Sequence, residues 1–142
     1  MTRAALTAVW VASFLAAVLV VESYFIRTTV NGIPFLLPAD RVTVYTLIGA
    51  IYGANVGAAL ACWFIKPFPL PKSVAFERFV NRLAVVLTVA YNLILLYLLG
   101  QGHLDQSEPI DTLLERVKII GGLLAFLAMP INAYYFSTAR SD

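Results

Sequence analysis

The residues best placed to do chemistry in this chain are polar groups set inside long apolar runs, where an unpaired polar group is costly and so signals a purpose. Glu22 is the one acid well inside such a run, Ala4 to Ile26. A carboxylate held there could bind a proton or a cation, the chemistry that proton-coupled transport needs. Glu22 lies about one turn from the end of its run, so the competing expectation is that it reaches the interface or pairs with Arg27, Arg116 or Lys118. Asn55 and Asn92 fall near the midpoints of two further runs that would be antiparallel, where they could meet. Arg78, Asn81, Thr88 and Asn92 share one helix face by their spacing. That face would line a water-filled vestibule or supply an interhelical hydrogen bond that fixes register, and the second is the favoured expectation.

A different feature concerns packing. Gly49, Gly53 and Gly57, with Ala61 one step further, put a small residue at every fourth position of the second run. Such a ridge lets another helix approach backbone to backbone. Its partner could be a second copy of the chain or, inside the chain, the matching series Ala8, Ala12 and Ala16. Tyr45, Tyr52, Asn55 and Cys62 occupy another face, centred roughly 130° away at about 100° per residue. The second helix is therefore expected to be contacted on two sides.

Several chemistries lack their residues. One histidine, His103, assigned to an outer loop, excludes bis-histidine haem ligation or a histidine metal cluster within one chain. There is no Cys-x-x-Cys, no Gly-rich phosphate loop, no nucleophile elbow and no HExxH. Asp105, Glu108, Asp111 and Glu115 could hold a divalent cation weakly, but such a run more often forms a solvated helix start. Lone Cys62 excludes an intrachain disulfide. The expectation is a non-enzymatic protein with no metal and no cofactor.

The elements that must position these residues follow from composition. Of 142 residues 61% are hydrophobic and 13% charged, against roughly 25% charged in a water-soluble domain. Four runs carry the excess: 4–26, 42–65, 83–99 and 117–136. Each is close to the about 17–25 residues that a helix needs to cross the hydrocarbon of a bilayer. Without water to satisfy backbone groups a helix is the form open to them, and alternating stretches for a closed barrel are too few. The expected architecture is all-α, a single integral membrane four-helix bundle over 1–142. The first run is kept as a span, because its apolar core is long for a signal peptide and Glu22-Ser23-Tyr24-Phe25 offers no small-x-small cleavage site.

Lys and Arg near the span ends set orientation. One side holds Arg3, Lys66, Lys72, Arg78, Arg82 and Arg140, and the other Arg27, Arg41, Arg116 and Lys118. Both termini are thus expected to be cytoplasmic, in a cell (inner or plasma) membrane. Tyr24 and Tyr45 are assigned to the outer interface, and Trp63, Phe64, Phe79, Tyr134 and Tyr135 to the inner. Lys72, Arg78 and Arg82 would anchor to anionic lipid of the inner leaflet. Asn31-Gly32 reads as a hairpin turn or an interface-hugging loop, and the prolines of Lys66–Lys72 as an extended strut. Ser73 is placed as the cap of the third helix, Ser107-Glu108-Pro109 as the start of the fourth, and Pro130 as a kink within it.

With almost no chain outside the spans, the partners expected are the bilayer, further copies and other membrane subunits. The net charge of +2 has no basic block that would suggest nucleic acid. The function expected is a small multi-pass protein that self-associates or joins a larger membrane complex, a pore being its sharpest version. The alternatives are a non-conducting accessory subunit and a small secondary transporter using Glu22. In size and helix count the chain resembles the small multidrug resistance transporters, which also carry a glutamate in their first helix. The similarity is one of layout.

Overall fold

The computed structural model describes residues 3–27, 36–64, 74–104 and 109–138. Those residues form α1 (Arg3–Ile26), α2 (Arg41–Ala61), α3 (Val74–Leu104) and α4 (Ile110–Thr138), with one 3-10 turn, Pro38–Asp40, leading into α2. All four helices are long and apolar enough to cross a membrane. The all-α bundle inferred from composition is therefore present. Its far end is the one at which α1 and α3 finish and α2 and α4 begin; the near end holds the start of α1 and the end of α4.

Each helix buries a stripe spaced by threes and fours. In α1 the stripe is Leu6, Trp10, Ser13, Ala17, Val21 and Tyr24. In α2 it is Val44, Ile48, Ile51, Asn55 and Ala59. This spacing keeps one face turned to neighbouring helices while the remaining apolar side chains, such as Leu19, Leu93 and Phe126, point outward. Spatial order differs from chain order. α1 packs on α2 and α3, α4 packs on α2 and α3, and α2 and α3 sit diagonally. Two antiparallel hairpins, α1–α2 and α3–α4, thus lie side by side, with α2 parallel to α4.

Two boundaries differ from expectation and two follow it. α2 ends at Ala61, and residues 62–64 turn out of it, short of Ile65. α4 starts at Ile110, ahead of its apolar run and directly after Pro109, as the helix start placed at Ser107-Glu108-Pro109 implies, and the first bonds of the helix, from the amides of Thr112 and Leu113, reach back to the Pro109 carbonyl. α3 does begin well before its apolar run, at Val74, but it also continues to Leu104, so His103 belongs to the helix and not to a loop. The physical reason is packing at Gly102. A Cβ there would lie 2.7 Å from the Tyr24 hydroxyl and 2.9 Å from Leu113, so only a bare backbone admits α1 and α4 this closely. Tyr24 is consequently in the core and not at the interface. Pro130 lies inside a continuous α4, where the Phe126 carbonyl lacks its usual amide donor. The proposed hairpin at Asn31-Gly32, the strut at Lys66–Lys72, the cap Ser73, and Ser107 and Glu108 lie outside the described residues.

Glycines on two helices make a contrasting pair. A Cβ on Gly121 would meet Ile51 of α2 at 3.0–3.2 Å, whereas one on Gly53 would meet nothing within 4 Å. Gly121→Val should therefore lower stability by about 1–3 kcal/mol through overpacking. Gly53→Ala should leave it unchanged or slightly raised. Thermal unfolding of the two variants in the same detergent checks the contrast.

Candidate functional site

At the bundle centre three helices present polar side chains to one another. Asn132 of α4, fully buried, donates from Nδ2 to Asn55 Oδ1 of α2 at 3.0 Å. Its Oδ1 accepts from the Thr88 hydroxyl of α3 at 3.2 Å. Asn92 instead donates to the Thr88 carbonyl of its own helix at 2.8 Å. So Asn55 meets Asn132 and not Asn92, and the asparagine that links the helices is one the sequence reasoning passed over. The signal was present, an amide within the apolar run 117–136. The stripe read along α3 also divides, because Arg78 and Asn81 are exposed while Thr88 and Asn92 are buried.

Aromatic rings adjoin this amide cluster. Trp10 packs against Tyr52 and Tyr91 with centroids 6.3 and 5.1 Å apart, and Tyr52 meets Tyr91 edge-on at 6.0 Å. The Tyr91 hydroxyl donates to the Ile51 carbonyl across the diagonal from α3 to α2. Four buried atoms here have no partner among the described residues: Trp10 Nε1, the Tyr52 hydroxyl, Asn55 Nδ2 and Asn92 Oδ1. Each costs free energy in an apolar interior. The centre is therefore polar, closely surrounded and only partly satisfied.

The far end holds a second constellation. Ser23 Oγ lies 2.7 Å from His103 Nε2, and Arg27 Nη1 lies 2.7 Å from His103 Nδ1. The His103 ring stacks on Tyr24 at 4.4 Å, and the Tyr24 hydroxyl donates to the Leu99 carbonyl. A guanidinium can only donate, so Nδ1 accepts and the proton sits on Nε2. His103 then donates to Ser23, whose own hydroxyl donates to the Val20 carbonyl. The pair resembles a serine–histidine dyad in distance but runs in the opposite direction. A base must offer serine a bare nitrogen, with a carboxylate behind the ring rather than a cation.

Glu22 forms an ion pair with Arg41 of α2 at 3.5 Å, and both side chains are substantially exposed. Arg41 also lies over the Phe25 ring, 4.9 Å from its centroid. Two of the three expected partners are engaged elsewhere, Arg27 at His103 and Arg116 at Gln101 Oε1, 3.2 Å away. A pair this open to its surroundings contributes little to stability. At the near end Arg3 donates to the Phe136 carbonyl at 2.7 Å, placing a cation at the last turns of α4, where the helix dipole favours one. Arg78 and Arg82 are exposed along the first turns of α3; Lys72 lies outside the described residues.

The small-residue ridge faces outward. Cβ atoms on Gly49, Gly53 and Gly57 would each meet nothing within 4 Å, while Ala61 is partly buried. Ala8 and Ala12 of α1 are likewise exposed, so the two alanine and glycine series do not pack together inside the chain. What α1 and α4 cover is the other face, with Tyr52, Asn55 and Cys62. The helix is thus contacted on one of the two expected sides. Among the described residues no three His, Cys, Asp or Glu side chains group as a metal site; Asp105 and Glu108 lie outside them.

No family model, curated protein or solved structure matches the chain. The physical test of the central cluster is therefore direct. Asn132→Leu removes two interhelical bonds and should lower stability by about 1–3 kcal/mol. Thr88→Val, which leaves the Asn132–Asn55 bond intact, should cost less. Equilibrium unfolding in detergent measures both.

Proposed function

We propose that the chain is a non-enzymatic multi-pass membrane protein whose role is assembly, with itself or with other membrane subunits, through the outward face of α2. The observation that carries this reading is the open ridge of Gly49, Gly53 and Gly57, which no other helix of the chain covers. In hydrocarbon, where apolar contact alone gives no preference for protein over lipid, close backbone approach is what favours association. The distribution of Lys and Arg supports a cell membrane orientation with both termini cytoplasmic and Arg78 and Arg82 at the inner headgroups.

Two observations weigh the reading toward assembly and away from conduction or transport. Thr88 and Asn92, the polar face that would have lined a pore between copies, are buried in the chain's own core. Glu22, the carboxylate a transporter would use, is paired with Arg41. The non-enzymatic part rests on the polarity of the Ser23–His103 contact, so a fluorophosphonate probe should leave Ser23 unlabelled. Labelling of Ser23 would overturn it.

The assembly test uses the whole chain extracted in mild detergent, with its mass and co-purifying chains determined. Gly53→Ile should lower the mass of the complex toward that of one chain, or release the foreign subunits, without changing the melting of the individual bundle. A complex unaltered by Gly53→Ile removes the ridge as an interface. Planar bilayers containing the protein should be electrically silent; conductance that Asn92→Leu alters would move the reading to a pore.

A further inference from the structure

Beside the glycine ridge, on the side of α2 that faces α4, an open groove of about 880 Å³ runs inward from the far end. Small residues create it. Ala50, Gly122 and Ala125 contribute almost no side chain, and a Cβ on Gly122 would meet nothing within 4 Å. Leu47 and Leu114 supply apolar walls. From Glu115 to Ala125 the groove follows α4 for about 15 Å at 1.5 Å per residue, the scale of an acyl chain rather than of a headgroup.

Its outer mouth is different. Thr43 lines it on the first turn of α2, and Glu115 and Lys118 on the second and third turns of α4. Glu115 and Lys118 are exposed, and neither pairs with any other described residue. One turn apart on a helix, they offer an anionic and a cationic group to the same region of the interface.

We propose that this groove is a binding site for one glycerophospholipid with an ammonium headgroup, of the phosphatidylethanolamine type. The lipid phosphate binds Lys118, its ammonium binds Glu115, and one acyl chain lies over Ala50, Gly122 and Ala125. The occupant is drawn from the bilayer and not from a second copy of the chain. A helix laid along the groove would cover Glu115 and Lys118 and cost the desolvation of two charges, whereas a headgroup leaves both at the aqueous boundary. A zwitterionic headgroup neutralises both. The site is independent of the ridge, which occupies the neighbouring face of α2.

Native mass spectrometry of the purified full-length protein, delipidated and then supplied in turn with palmitoyl-oleoyl phosphatidylethanolamine and phosphatidylglycerol, tests the assignment. One phosphatidylethanolamine per chain should be retained in preference to phosphatidylglycerol. Lys118→Gln and Glu115→Gln should each weaken that retention by about fivefold, the scale of a single interfacial ion pair. Gly122→Phe should abolish retention of both lipids by filling the groove, and Ala50→Phe fills it from the opposite wall should the first variant fail to fold. Equal retention by the wild type and the folded groove-filling variants would overturn the site. Phosphatidylglycerol held as tightly, with Glu115→Gln silent, would overturn the headgroup assignment. A fall in oligomer mass on filling the groove, with lipid retention unchanged, would overturn it in favour of a second copy.

Discussion

The amide of Asn132 is the contact on which the centre of the bundle depends, because it is the one side chain there that bonds to two other helices. Its donor fixes α4 against Asn55 of α2, and its acceptor fixes α4 against Thr88 of α3. In an apolar interior these bonds cannot be exchanged for water, so a slip of one helix along another strands at least one polar group. Apolar side chains such as Ile51 and Leu95 tolerate small sliding; an amide does not. Register at the centre then decides which residues meet elsewhere, including Gly121 against Ile51 and Tyr91 against the carbonyl of Ile51. The same strictness makes α1 the exception. It is held at the centre by the rings of Trp10, and toward its ends by polar contacts of Arg3, Thr7, Glu22, Ser23, Tyr24 and Arg27.

Those end contacts divide the molecule by chemistry. The far end ties α1 to α3 through the imidazole of His103, stacked on Tyr24 and bonded at both ring nitrogens. The near end ties α1 to α4 through Arg3. Between them the polar centre never engages α1 directly, and Trp10 and Tyr52 keep polar atoms without partners there. The first helix is thus fixed in polar terms at its ends rather than by a bond to the central amide.

Much of this was legible in the sequence, for reasons that particular residues make plain. Apolar run length found all four helices, since lipid leaves the backbone no other form. The small-residue period at Gly49, Gly53 and Gly57 and the separate face of Tyr52 and Asn55 were visible because helical periodicity is local information. What was not legible depended on which helices become neighbours. Asn55 had two distant amides to choose from, Asn92 and Asn132, and spacing along one helix does not decide between them. Tyr24 looked like an interfacial ring by position, but Gly102, almost eighty residues later, opens the space that draws it inward. His103 looked like a loop residue because it lies beyond the apolar run that ends at Leu99, and packing of α1 and α4 against Gly102 carries the helix past it despite the weak helix propensity of glycine.

The diagonal placement of α2 and α3 gives the chain a modular character. Each half of the sequence is a helical hairpin, and the two lie in the same sense, α1 beside α3 and α2 beside α4. The arrangement is that of two like units in one chain, and α2 and α3, consecutive across its middle, touch through Tyr91. Among the described residues every interface between the halves is made by helix faces. The fold is in this sense a dimer of hairpins that happens to be written on a single polypeptide.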